Sequence, residues 1–145
     1  MPKTSPAAAL GTPRPRGAGL VAVPARIDPR SVADLVGRGD GLTPLGDDVL
    51  CGWLAAHRAA GVPTPAVDDA VRRALPRTST LSATLLECAL IGEVADLVGD
   101  FLRALGTPRA AAARTALAGL GHSSGEGLVH GIDLALRELN GQAAA

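Results

Sequence analysis

Tyrosine is missing from this chain, and Trp53 and Phe101 are its only large aromatic rings, so the core has to be built from Leu, Val, Ile and Ala on closely packed helices. Net charge is missing too. The 14 basic and 14 acidic residues cancel, which leaves no electrostatic footprint for nucleic acid or an anionic membrane surface. Lysine occurs only as Lys3, which removes the GK[ST] lysine that a phosphate-binding P-loop requires. The two cysteines, Cys51 and Cys88, lie far apart in helical patterns with no CxxC, and read as small buried hydrophobes in a reducing compartment rather than a disulfide or zinc site. No apolar run approaches the ~20 residues of a membrane span, and the opening MPKTSPAAALGTPRPRGAG lacks the uninterrupted apolar segment of a secretory signal, so a cytoplasmic location is expected. No Ser/His/Asp order and no run of zinc ligands appears.

What is there is helix. A chain of 145 residues with 47 % hydrophobic content suits one domain with a core. A capping residue followed by proline recurs at Asp28-Pro29, Thr43-Pro44, Thr64-Pro65 and Thr107-Pro108, and each pair marks a helix start. Hydroxyl clusters at Thr78-Ser79-Thr80 and Ser123-Ser124 mark two more, with Ser123 and Glu126 at capping-box spacing. The stripe Val94, Leu97, Val98, Phe101 and Leu105 predicts another helix, beginning near Glu93. The expected architecture is all-α: one compact bundle of about seven helices over residues 28–141, with glycine-rich loop-to-helix junctions. Before it come a disordered Pro/Ala/Gly-rich tail over 1–19 and an extended lead-in over 20–27, where GLVAVPA offers at most one short strand.

Residues 37–48, GRGDGLTPLGDD, form the first conspicuous junction: a helix ends near Gly37, a loop runs to Leu42, and Thr43 opens a helix reaching about Ala60. Glycines feeding a helix N-terminus expose backbone N–H groups that can hold phosphates or carboxylates. Gly37, Gly39, Gly41, Thr43 and Gly46 are the candidate ligand-binding positions. Asp47 and Asp48 would repel an anion there unless a magnesium ion or an arginine lay between, which makes them candidate metal ligands and catalytic carboxylates. The same residues also make sense without a ligand, as a C-cap, turn glycines and acids favoured by the helix dipole. The embedded Arg38-Gly39-Asp40 is a chance tripeptide.

A second junction, GLGHSSGEG over 119–127, supplies Gly121, Ser123, Ser124 and Gly125 as candidate ligand contacts and His122 as a group able to exchange a proton near neutrality. A capping box beside a loop histidine is the alternative. In the helix that follows, Leu128, Ile132, Ala135, Leu136 and Leu139 form an apolar stripe opposite Glu126, His130, Asp133 and Arg137, with Asp133 and Arg137 spaced as an i,i+4 pair. A third segment, TSTLSATLLECALIG over 78–92, is apolar nearly all round and predicts a central buried helix, whose Thr80 and Ser82 could wall the same pocket or simply bond to their own helix.

Taken in order and spacing, these three segments resemble the FdrA-associated family long labelled a domain of unknown function, whose best-described members are AllH-type subunits of oxamate carbamoyltransferase. The resemblance spans roughly residues 27–140. It implies a subunit of a carbamoyltransferase of allantoin breakdown, a branch of purine catabolism, in which oxalurate and phosphate give oxamate and carbamoyl phosphate. The implied partners are an FdrA-type subunit and a companion subunit, and the implied ligand is one of those small anions. No cofactor beyond a magnesium ion at Asp47 and Asp48 is implied. Longer members carry a substantial N-terminal region, and an acid follows their Ser-Ser-Gly by two places, where this chain has Gly127. The chain is therefore not expected to act alone. Two further readings remain open: a non-catalytic regulatory domain that binds a small anion, and a subunit that only supports a partner.

Overall fold

The computed structural model describes residues 21–143. Seven α-helices follow one another among these residues: α1 (Pro29–Leu35), α2 (Leu45–Ala59), α3 (Pro65–Ala74), α4 (Thr80–Leu90), α5 (Asp96–Ala104), α6 (Ala110–Ala118) and α7 (Ser124–Ala143), with a 3-10 turn (Leu75–Arg77) after α3. The all-α expectation is met. No strand occurs among the described residues, and 21–27 form an irregular lead-in whose Val21 and Val23 pack on the core. The tail expected over 1–19 lies outside the described residues.

Side-chain caps hold the starts of two helices, α1 and α4. At α1, Asp28 accepts from the N–H groups of Arg30 (2.9 Å) and Ser31 (2.8 Å), while the Ser31 hydroxyl accepts from the Asp28 N–H (2.8 Å). Ser79 caps α4 by accepting from the Ser82 N–H (3.1 Å). Thr64 occupies the cap position of α3 ahead of Pro65 as expected, its hydroxyl donating to Asp68 (2.7 Å), but Thr43 and Thr107 depart from the pattern. Pro44, not Thr43, occupies the cap position of α2, and the Thr43 hydroxyl is used across the fold instead. Thr107 bonds back to the Ala104 carbonyl (2.6 Å), and α6 begins only at Ala110. The start of α5 also falls later than Glu93. Gly92, at φ +80°, closes α4, and the N–H of Glu93 still donates to the Cys88 carbonyl (2.9 Å), so Glu93 belongs to the end of one helix rather than the start of the next.

The central helix is α2, not the α4 that the sequence suggested. Every residue of α2 from Gly46 to His57 is buried, whereas α4 buries only Ser82, Leu86, Ala89 and Leu90 and leaves Leu81 and Leu85 exposed. Small residues make this arrangement possible. A Cβ at Gly131 of α7 would lie 1.9 Å from the Val49 carbonyl oxygen, and one at Gly52 would lie 2.1 Å from the Leu128 carbonyl oxygen, so α2 and α7 touch backbone to backbone. Around this pair, α1 and α3 pack together on one side, α4 lies along α2, and α5 and α6 form a hairpin against α2 and α7. Leu35, Leu50, Leu54, Leu86, Leu117, Ile132 and Leu134 are the largest apolar side chains sealed inside.

Candidate functional site

The first turn of α2 carries two adjacent carboxylates that the helix aims in different directions. Asp47 is completely buried. Its Oδ1 accepts from the Gly37 N–H (2.8 Å), and its Oδ2 accepts from the hydroxyls of Thr78 and Ser82, the latter at 2.6 Å. One side chain thus ties the glycine loop to the entrance of α4, and a hydrogen bond from the Ser79 hydroxyl to the Leu42 carbonyl adds a second strap.

Asp48 points the other way, into a cavity of about 490 Å³ between α2, α4, the segment before α5, and the start of α7. It is 5 % exposed, and its Oδ2 is buried with no hydrogen-bond partner. Desolvation pushes its carboxyl up to about 7; the neighbouring Ser124 hydroxyl pulls downward and the Asp47 charge adds to the rise. Beside it the Thr43 and Ser124 hydroxyls meet at 2.8 Å. The remaining walls are largely apolar, from Leu85, Ala89, Val98, Leu120 and Leu128, with Cys51, Cys88 and Glu93; among the described residues no arginine, lysine or histidine lines the cavity. Burial also pushes the Cys51 thiol up, so it is no ready nucleophile.

The structure therefore brings Thr43 of the first junction and Ser124 of the second together beside Asp48, with Gly121 at the same cavity. The other candidate positions lie elsewhere. Gly37 and Ser82 bond to Asp47. Gly39 sits against the backbone of Leu45, Gly41 faces open space, and Gly46 lets the start of α2 approach the Leu35 carbonyl. Thr80 is exposed, and its carbonyl accepts from Thr84 (2.9 Å). His122 is exposed and does not line the cavity. The Ser123 carbonyl accepts from the Gly127 N–H (3.1 Å), and Gly125 packs tightly on Leu117. Gly127 lies against Asp48: a Cβ there would come within 2.8 Å of the Asp48 Cβ.

A magnesium ion held between the two aspartates does not match these directions. Asp47 has both oxygens occupied and does not line the cavity, and among the described residues no three His, Cys, Asp or Glu side chains gather as a metal site. Nor does Asp133 pair with Arg137; it receives a bidentate contact from Arg114 of α6 (2.8 and 2.5 Å). A buried cluster escaped sequence reasoning altogether. Glu138 accepts from the Ile27 N–H (2.9 Å) and the Trp53 indole (2.7 Å), and Trp53 stacks on His57 with centroids 3.9 Å apart. The available signal was a glutamate three places after Ala135, at the edge of an apolar stripe.

The family model described as oxamate carbamoyltransferase subunit AllH matches residues 35–136. No curated protein and no solved structure matches the chain. Among the described residues no helix is long and apolar enough to cross a membrane.

Proposed function

The chain belongs to the AllH family of oxamate carbamoyltransferase subunits, and from that premise we propose that the cavity beside Asp48 is its ligand site in a cytoplasmic carbamoyltransferase assembly. The reaction of that assembly is the conversion of oxalurate and phosphate to oxamate and carbamoyl phosphate, with FdrA-type and companion subunits taking part. The observation that carries the reading is the buried, unpartnered Oδ2 of Asp48 in an otherwise apolar cavity. A buried carboxylate oxygen without a donor is costly, and it persists where a ligand completes it. Thr43 and Ser124 are the neighbouring polar contacts, and Asp47 acts as a positioning residue that holds the glycine loop. His122 stands outside this constellation. Because no cationic side chain among the described residues lines the cavity, neutralising phosphate falls to groups beyond it, from a companion subunit.

The test is reconstitution of the full chain with its companion subunits, following carbamoyl phosphate formation. Asp48→Ala should lower the turnover of an intact assembly by roughly a hundredfold, as loss of a preorganised polar contact does. Unchanged turnover would overturn the reading. A second reading, a regulatory or structural subunit, is favoured by the lack of an activated thiol and of any histidine or lysine among the described residues that line the cavity. On that reading Asp48→Ala leaves turnover intact and alters only its dependence on added ligand.

A further inference from the structure

The hydroxyl hydrogens of the cavity are already used. Ser124 bonds to Asp48, and the Thr43 and Ser124 hydroxyls meet at 2.8 Å, so Thr43 donates to Ser124 and Ser124 donates to the carboxylate. Apart from the Cys51 and Cys88 thiols, what the lining side chains still offer is acceptors: the buried Oδ2 of Asp48, which has no donor, the Thr43 oxygen, and Glu93 at the rim. Among the described residues no arginine, lysine or histidine faces them, and Leu85, Val98 and Leu128 supply apolar wall. Acceptors in an apolar slot complement a head that only donates, carried on an aliphatic stem. The apolar wall also continues outside. Leu85 lines the cavity and is exposed, Leu81 stands exposed one turn earlier on α4, and Leu42 is exposed next to Thr43, its carbonyl strapped to the start of α4 by the Ser79 hydroxyl.

We infer that a companion subunit docks on the Leu42–Leu81–Leu85 rim and inserts a lysine side chain into the cavity, its stem along the apolar wall and its ammonium on Asp48. This rests on the reading of the cavity as the ligand site and names what completes it, since the lysine brings the positive charge that a small anion needs and that this chain does not line the cavity with. Charge complementarity selects the occupant. A second copy of this chain, related by a two-fold axis, would set Asp48 and Glu93 against their own likes, and its only lysine is Lys3. An arginine would bring five donors to these few acceptors, whereas an ammonium brings three. An apolar rim around a single buried charge pair is also the usual arrangement of a strong interface contact.

The experiment has two arms. In the first, the full chain is titrated by NMR at pH 8 with pentylammonium, hexanoate and pentanol. Pentylammonium should bind at least about tenfold more tightly than the other two, the ratio that one charge-assisted hydrogen bond supplies, and Asp48→Asn should remove the preference. Its affinity should rise between pH 6 and pH 8, because Asp48 titrates at about 7 while the amine stays charged. In the second arm the lysines of the companion subunits carry ¹³C-methyl groups, which keep the charge. One methyl resonance should shift on adding the full chain and stay in place with Asp48→Asn. Leu81→Asp, a rim substitution outside the cavity, should weaken association at least about tenfold. Thermal melts verify that both variants are folded. Hexanoate or pentanol binding as tightly as pentylammonium overturns the inference, as does a companion whose lysine resonances all ignore Asp48, or a chain that self-associates through Leu81 instead. If the ammonium preference fails while Asp48→Ala still abolishes turnover in the assembly, the lysine is wrong and the ligand site stands. If the lysine resonance shifts as expected while turnover survives Asp48→Ala, the cavity is a docking socket and the ligand-site reading falls.

Discussion

Asp47 and Asp48 are neighbours in sequence, yet the helix places them in opposite surroundings, and their substitution should separate the two roles. Asp47 collects a backbone N–H and two hydroxyls from three segments. Asp47→Ala strands those donors in the interior and should cost roughly 2–4 kcal/mol, read as a lower urea midpoint. Asp48 has the reverse effect on stability. Its carboxyl is raised from 3.8 to about 7 in the folded chain, so the folded state holds this proton more tightly than the unfolded state does. Stability from this group is fully present below 3.8, falls as pH rises from there to about 7, and is flat above that. Asp48→Asn removes the titration. Its stability relative to the native chain should therefore climb between pH 4 and pH 7 and level off beyond, by an amount on the order of a few kcal/mol at the plateau. A difference that stays constant with pH would show that Asp48 is not desolvated. The sequence made both acids conspicuous, but not which one faces the cavity. That depends on Gly37, Thr78 and Ser82 arriving from other elements.

At the scale of elements, the glycines divide by what surrounds them rather than by the motif they sit in. Gly131 is a contact point between α2 and α7, with the Val49 carbonyl 1.9 Å from where a Cβ would be, whereas Gly141, further along α7, has nothing within 4 Å. Gly131→Ala must push the two helices apart and should cost roughly 3 kcal/mol or prevent folding. Gly141→Ala meets open space within a helix and should stabilise by about 0.5–1 kcal/mol. Thermal melts of the two variants are the direct comparison, and equal melting temperatures would contradict the close crossing. The helices themselves were legible, because caps and stripes are local signals. The identity of the central helix was not, since apolar content made α4 look buried all round, while the decisive feature was small residues on α2 and α7. Gly127 and Gly131, four apart on α7, were the readable sign of that approach. Thr43 misled for a related reason: a Thr-Pro pair predicts a cap, but the hydroxyl is used by Ser124, 81 residues away.

Across the whole molecule, the cavity lies between parts of unequal firmness. On one side α2 and α7 form the most extensive contact in the fold, with every α2 residue from Gly46 to His57 buried. On the other, α5 packs mainly on α6, and α6 buries only Leu117, held besides by Arg114 on Asp133 and over the Phe101 ring. Local opening follows buried contact, so native-state hydrogen exchange should show the amides of α5 and α6 opening at lower free energy than those of α2 and the buried turns of α7. Glu93, Val94, Ala95 and Val98 line the cavity from this softer side, and Asp48 and Ser124 line it from the firmer one. A ligand seated between them has most to restrain in α5 and little in α2, which is already sealed. Saturating oxamate should therefore slow exchange over residues 93–101 and leave the central turns of α2 unchanged, with the effect lost in Asp48→Ala. Protection spread evenly over all helices would point instead to general stabilisation by binding. Protection confined to the glycine loop would place the ligand at the backbone N–H groups of residues 37–43 and not in the cavity.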